Sequence, residues 1–213
     1  MLTVKHFQFN PLEENTYLLF NDTRDCAIID PGCYFPEEQQ ALVEFIDRHQ
    51  LRPRLLLNTH CHLDHVFGNE FVRQRYQLTL YRHPLEQPLL EFAPQMGRQW
   101  GMPVEPFRGE VADLQEGVAL QLGAEQIEVL FTPGHSPGSC SFLARQEGWV
   151  ISGDVLFQES IGRTDLPGGN LQTLLGSIRS QLFPLPDETV VYSGHGPSTT
   201  IGHERSFNPF LNV

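Results

Sequence analysis

The sequence predicts an α/β protein in which two β-sheets pack face to face, with helices on the outside. Apolar stretches of strand length and amphipathic helical patterns occur in both halves of the chain, in the same coarse order. No linker rich in proline, glycine or serine separates the halves. We therefore expect residues 1–213 to form a single domain.

The first half of the chain contains five predicted strands and two predicted helices. Pro36 opens the first helix, which carries apolar residues on one face and ends before Pro53. Residues 84–109 contain five prolines and predict short helical turns and loop, as in a flap over a site. The strands are Leu2–Phe9, Tyr17–Phe20, Cys26–Asp30, Arg54–Asn58 and Leu78–Tyr81, and the second helix is Val66–Arg75.

The second half contains four predicted strands and one helix. The helix follows Asn170, its predicted N-cap, and carries a stripe of leucine and isoleucine that ends at Leu182. The strands are Gln126–Thr132, Ser139–Ala144, Gly148–Ser152 and Thr189–Ser193.

Composition excludes several classes of protein. With 26 acidic against 14 basic residues, the net charge of −12 argues against nucleic acid as a partner, because phosphate backbones require a basic face. The N-terminus shows no signal-peptide pattern, and no run reaches the ~18 apolar residues that would span a bilayer. The four cysteines include no CxxC pair, so we expect no disulfide framework. These features predict a cytoplasmic protein with no membrane partner.

Loops that follow predicted strands carry residue types that bind metals. The stretch THCHLDH follows one strand directly, and TPGHSPG, GDVLF and GHGP follow three others. The end of a strand is a rigid place from which to present a ligand, and neighbouring glycines allow close backbone approach. The candidate ligands are His60, His62, Asp64, His65, His135, Asp154 and His195.

Five imidazoles and two carboxylates are too many for one tetrahedral zinc ion. They suit two divalent ions bridged by a carboxylate and a water, with zinc as the first expectation and iron or manganese as alternatives. Such a pair suits hydrolysis, because the shared water loses a proton near neutral pH and one ion polarises the attacked carbonyl. The expected sets are His60, His62 and His135 for one ion, Asp64, His65 and His195 for the other, and Asp154 as the bridge.

These motifs resemble the signature of the metallo-β-lactamase superfamily. Its HxHxDH motif corresponds to THCHLDH, and its later ligands correspond to TPGHSPG, SGDVLF and YSGHGP in the same order. The resemblance covers nearly the whole chain and implies a four-layer αββα sandwich with the site at one edge. Asp64 and the segments SIGRTDLPGGN and TTIGHERSFNPFL look most like the short glyoxalase II-like hydrolases (hydroxyacylglutathione hydrolases). The chain stops eighteen residues after His195, so the helical glutathione-binding domain of longer members is not expected.

The resemblance implies hydrolysis of thioesters, above all S-acylglutathiones such as S-D-lactoylglutathione. Asp64 and Asp154 would orient the attacking water, and the protein would act as a monomer or weak homodimer on this small molecule. Arg163 lies where longer enzymes place a cation that meets a glutathione carboxylate. Asp165 stands where those enzymes favour an aromatic residue, so an ion pair between Arg163 and Asp165 that organises the loop is an alternative.

Two other functions remain open. Persulfide dioxygenases share the fold and the NTHCH and GRTD-like segments, and they bind one iron through two histidines and a carboxylate, here His60, His135 and Asp154. Phosphodiester cleavage, as in nuclease members, is disfavoured by the acidic charge. Cys61 lies between two candidate ligands, but alternation turns its side chain away from them and predicts a buried structural thiol.

Overall fold

The computed structural model describes residues 1–211, which form two compact units. One unit comprises Met1–Leu114 with Gln121–Glu125, and the other comprises Gln115–Leu120 with the chain from Gln126 onward. Each unit is built around a six-stranded β-sheet. Within the described residues, no helix combines the length and the apolar character that crossing a bilayer requires.

The sheet of the first unit follows the chain order from β1 to β6. The first three strands are antiparallel, whereas β3 to β6 are parallel to one another. Ile29 pairs with Leu57 at the ends of β3 and β4, so the loops that follow these strands leave from one edge of the sheet. The strands are β1 Leu2–Phe9, β2 Glu14–Asn21, β3 Asp25–Ile29, β4 Arg52–Leu57, β5 Leu80–Arg82 and β6 Val111–Asp113.

Four α-helices accompany this sheet: α1 Pro36–Arg48, α2 Leu63–Val66, α3 Asn69–Tyr76 and α4 Gln87–Gln99. The prediction of one helix over Val66–Arg75 is confirmed for most of its length by α3 and was wrong for its start, because the helix is interrupted at Phe67 and Gly68 between α2 and α3. The Gly68 N–H donates to the carbonyl of Pro31 at 2.7 Å. A Cβ at Gly68 would lie 2.4 Å from Cys33 Sγ, so this close approach requires glycine.

The prediction of short turns and loop over residues 84–109 was also wrong for its first part. A short 3₁₀ turn, Pro84–Glu86, leads into the thirteen-residue helix α4, which contains Pro94. Leu90 and Ala93 are buried on one face of α4. Burial of this face stabilises the helix although a proline lacks the N–H that the helical hydrogen bond needs.

The sheet of the second unit has the strand order β14-β13-β10-β9-β8-β7. Its four predicted strands are confirmed with shifted ends, and β10 and β13 are parallel, with Gly153 opposite Ser193. The loops after these two strands therefore leave from the same edge. The elements are β7 Leu120–Leu122, β8 Glu125–Phe131, β9 Cys140–Ala144, β10 Trp149–Gly153, β11 Leu156–Phe157, β12 Ser160–Ile161, α5 Leu171–Ser177, β13 Val190–Ser193, β14 Thr199–Thr200 and α6 Ile201–Phe207.

The predicted helix after Asn170 is confirmed as α5, which continues into a π-helical segment, Ile178–Leu182. Asn170 is the N-cap, since its Oδ1 accepts the Thr173 N–H at 2.9 Å. The Asn170 N–H donates to the carbonyl of Gly134 at 2.7 Å. The start of α5 is thus tied to the residue that precedes His135.

We predict that Asn170→Ala lowers the free energy of unfolding by about 1 kcal/mol, because the substitution removes the side-chain acceptor at the start of α5. Asn170→Asp is the matched control and should remain close to wild type, since a carboxylate also caps the helix. Urea denaturation followed by circular dichroism measures both. Equal stability of the alanine and aspartate variants would contradict the capping role.

Candidate metal centre

The loop after β4 gathers three histidines in the first unit. His60 and His65 are buried, and His62 lies at the boundary of α2, as its N-cap residue. The ring centroids of His60 and His62 are 4.8 Å apart, and those of His60 and His65 are 4.1 Å apart. Three of the predicted ligands are therefore brought together by one short loop.

The carboxylate of Asp30 organises this loop. Its Oδ1 accepts the Thr59 N–H at 2.7 Å and the Asn58 side-chain amide at 3.1 Å. Its Oδ2 lies 2.5 Å from Thr59 Oγ1 and 3.1 Å from His65 Nδ1. With Nδ1–H donated to Asp30, the Nε2 of His65 is the nitrogen that can bind a metal ion.

Asp30 was not among the predicted site residues. It follows β3 and precedes Pro31-Gly32, and it adopts a left-handed backbone conformation with φ of 48°. The sequence shows an aspartate between a buried strand and a Pro-Gly turn, a pattern too common to single it out. Its two oxygens already serve Thr59, Asn58 and His65, so it supports the ligands rather than replacing one of them.

Asp64 lies in the first turn of α2, beside His65. Its Oδ2 is 3.7 Å from His65 Nε2, the nitrogen that faces away from Asp30. The carbonyl of Asp64 accepts the side-chain amide of Asn10 at 3.2 Å. The carboxylate and the imidazole nitrogen are thus presented side by side, as expected for two ligands of one ion.

Glu14 on β2 is a second buried acid that sequence reasoning missed. It is fully buried, and burial raises the pKa of its carboxyl well above the usual range, which the nearby His65 partly offsets. Thr16 Oγ1 donates to its Oε2 at 2.8 Å, and its Oε1 lies 3.9 Å from His65 Nδ1. The carboxyl groups of Glu14 and Asp30 therefore both lie on the Nδ1 side of the His65 ring.

In the second unit, His135 and His195 meet at the carboxylate of Asp154. Asp154 Oδ2 lies 3.5 Å from His135 Nε2 and 3.6 Å from His195 Nε2. The His195 side chain is 27% exposed, whereas His135 is buried. One carboxylate oxygen facing two imidazole nitrogens is the arrangement that a bridging ligand needs.

The orientation of His135 is set by the loop after β12. His135 Nδ1 lies 2.8 Å from the backbone carbonyl of Arg163, to which it donates, so Nε2 points to Asp154. The neighbouring Gly162 allows this approach, because a Cβ there would lie 1.9 Å from the carbonyl oxygen of Asp154. The main chain at residues 162–163 therefore contacts both His135 and the backbone of Asp154.

The guanidinium of Arg163 is paired with Asp165. Nε and a terminal nitrogen lie 2.8 and 2.7 Å from the two carboxylate oxygens. The hydrogen bond from Arg163 lowers the pKa of Asp165 to about 2. The side chains are 59% and 70% exposed, so the pair is open to water and readily exchanged. The ion pair that sequence reasoning offered as an alternative is present, and contact of Arg163 with substrate stays a prediction.

Cys61 is buried, as expected, and so are the other three cysteines, which are all free thiols. The predicted ligands are all imidazoles and carboxylates, and the burial of Cys61 gives no reason to add a thiolate to them. In both units an acceptor holds Nδ1 of a histidine and leaves Nε2 for a cation. This donor set fits divalent metal ions such as zinc, iron or manganese.

A family model described as the metallo-beta-lactamase superfamily matches residues 9–195. The chain belongs to this superfamily. The predicted family and the predicted α/β fold class are thereby confirmed, and the protein is a metal-dependent hydrolase by membership.

Two relatives align with nearly the whole length of this chain. It is 42% identical to the "Probable metallo-hydrolase YqgX" of Bacillus subtilis, over 95% of this chain and 94% of that one. It is 38% identical to the "Hydroxyacylglutathione hydrolase GloC" of Haemophilus influenzae, over 94% of this chain and 93% of that one.

Solved structures show the same metallo-β-lactamase fold. The BLEG-1 B3 metallo-beta-lactamase matches with a TM-score of 0.91 and 41% identity, over 99% of this chain and 100% of that one. TTHA1623, solved in a di-iron-bound form, matches with a TM-score of 0.88 and 39% identity, over 98% of this chain and 100% of that one. Because the latter holds iron, the identity of the metal in this superfamily member stays open.

We predict that Asp30→Ala lowers the affinity for a divalent metal ion by about 10–100-fold, because the support of His65 and Thr59 is lost. Competition with a chromogenic chelator measures the dissociation constant. Asp25→Ala is the matched control, since Asp25 begins β3, the strand that Asp30 follows, and accepts a hydrogen bond from Arg54 at 2.9 Å. Equal affinities of the two variants would contradict the supporting role of Asp30.

Proposed function

We propose that this metallo-hydrolase cleaves thioesters, with S-acylglutathiones such as S-D-lactoylglutathione as its substrates. The observation that carries the proposal is the placement of Asp154, whose Oδ2 faces the Nε2 atoms of His135 and His195 at 3.5 and 3.6 Å. A carboxylate in this position can bridge two ions. The similarity to the hydroxyacylglutathione hydrolase GloC supports the thioester as substrate.

The seven ligands are proposed to bind two divalent ions, with zinc first and iron or manganese as alternatives. When bound, such ions lower the pKa of a shared water and stabilise the oxyanion that develops on the attacked carbonyl. The carboxylates of Asp64 and Asp154 would orient the attacking water toward the carbonyl carbon. The products are a hydroxy acid and the thiol.

Attack on a thioester requires little further help from the protein. A thiolate is a good leaving group, since a thiol of ordinary pKa of about 8.5 is far more acidic than an alcohol. The residues of this chain therefore need to orient water and hold the ligands rather than donate a proton to the leaving sulfur. This requirement agrees with a site made of histidines and carboxylates.

Metal-replete protein should hydrolyse S-D-lactoylglutathione, and Asp154→Ala should lower kcat by about 10²–10⁴-fold, because the water loses its orienting carboxylate. Loss of thioester absorbance follows the reaction. Asp187→Ala is the matched control in the same unit, since Asp187 is exposed and pairs with Arg205. Absence of turnover above buffer by wild-type protein would overturn the proposal for this substrate.

A second candidate, persulfide dioxygenation, rests on the NTHCH and GRTD segments of the sequence. The structure of ETHE1 from Myxococcus xanthus also matches, with a TM-score of 0.79 and 28% identity, over 97% of this chain and 83% of that one. Oxygen uptake with glutathione persulfide, without thioester hydrolysis, would favour this candidate. Both assays should therefore use the same metal-loaded sample.

The proposed contact of Arg163 with a substrate carboxylate predicts opposite effects of two substitutions. Arg163→Ala should raise KM for S-D-lactoylglutathione roughly tenfold, because a charge-assisted hydrogen bond is lost. Asp165→Ala should lower KM, since it releases the guanidinium from its partner. A neutral thioester is the control substrate, and its KM should not change. Unchanged KM values for both variants would leave the ion pair as a loop-organising contact only.

A further inference from the structure

Glu86 is a fully buried carboxylate outside the predicted ligand set. It ends the 3₁₀ turn that precedes α4, where its N–H donates to the carbonyl of His83 at 2.9 Å. The first residue of this turn is Pro84, whose ring fixes φ. Glutamate is almost never fully buried unless a partner stabilises its charge, so the contacts of Glu86 need an explanation.

The carboxylate of Glu86 reaches the middle of the histidine loop. Its Oε2 accepts the backbone N–H of Cys61 at 2.7 Å, and both groups are buried. Cys61 is the residue between His60 and His62. A hydrogen bond from an amide to a carboxylate is short and strong, which suits it to fix the peptide between two ligands.

This contact continues a pattern along the loop. Asn58 N still donates to Tyr81 of β5, at 2.9 Å, as part of the sheet. Beyond it, Thr59 N donates to Asp30 at 2.7 Å and Cys61 N donates to Glu86 at 2.7 Å. Beyond the end of the sheet, two buried side-chain carboxyl groups thus accept the N–H groups of alternate loop residues, as a neighbouring strand would.

Holding the peptide at Cys61 also fixes the directions of the histidines on either side. In an extended segment, residues two apart project to the same side. The rings of His60 and His62 lie 4.8 Å apart and at 88° to one another. Rotation of the peptide between them would change the distance between the two nitrogens that bind one ion.

We propose that Glu86 is a positioning residue of the metal centre. Its carboxyl group fixes the Cys61 peptide and aligns His60 and His62 as a ligand pair. The inference rests on the proposed role of both histidines as metal ligands. It is independent of which substrate the enzyme hydrolyses.

Two conservative substitutions test the position of the acceptor. Glu86→Asp keeps a carboxyl group but withdraws the acceptor by one methylene, whereas Glu86→Gln keeps an acceptor at the same distance from the backbone. In cobalt(II)-loaded protein, Glu86→Asp should shift the visible ligand-field bands and lower cobalt affinity by about 10–100-fold. Glu86→Gln should keep the bands and show a smaller loss of affinity.

Glu70 provides the matched control in the same unit, because it is also a buried carboxylate that accepts a backbone N–H, from Arg108 at 3.0 Å. Glu70→Asp and Glu70→Gln should keep wild-type bands and affinity, even where the melting temperature of the apoprotein falls. Wild-type bands and affinity in Glu86→Asp would overturn the inference, whatever the melting temperature. Failure of wild-type protein to hydrolyse thioesters while it binds cobalt would overturn only the proposed function.

Discussion

The histidine loop depends on the hydrogen bonds that the buried carboxylate of Asp30 accepts. This carboxylate receives hydrogen bonds from the backbone and hydroxyl of Thr59, from the amide of Asn58 and from the imidazole of His65. A carboxylate loses its hydration on burial, and only a full set of such bonds offsets that cost. The end of β3, the end of β4 and helix α2 are therefore fixed together, and the predicted ligand His65 is held within the core.

The two units support their histidines with different chemistry. In the first unit the side chain of Asp30 accepts Nδ1–H of His65, whereas in the second unit the backbone carbonyl of Arg163 accepts Nδ1–H of His135. A carboxylate partner makes an imidazole more basic and a stronger ligand than a carbonyl partner does. The two histidines are therefore held by acceptors of different strength.

Much of the fold could be predicted from sequence, because buried strands such as β3, β4 and β10 are continuous apolar runs that end at glycine or polar residues. The predicted ligands could be found because they cluster in short motifs. Asp30 and Glu86 could not, since their roles arise from contacts with Thr59 and Cys61 across the sheet rather than from neighbours in sequence. Helix α4 was missed because its prolines predict a break in the helix, whereas the burial that stabilises it cannot be read from the local sequence. Strands of two or three residues, such as β7, are too short to show a period.

The support of His135 comes from the main chain of residue 163 and not from its side chain. Mutation at this position can exchange the arginine for another residue while the carbonyl that holds the histidine stays in place. The same holds for Asp165, whose side chain pairs with the exposed guanidinium of Arg163. Substitutions at residues 163 and 165 can therefore change the charge and shape of this exposed surface while the backbone contact that orients His135 is kept.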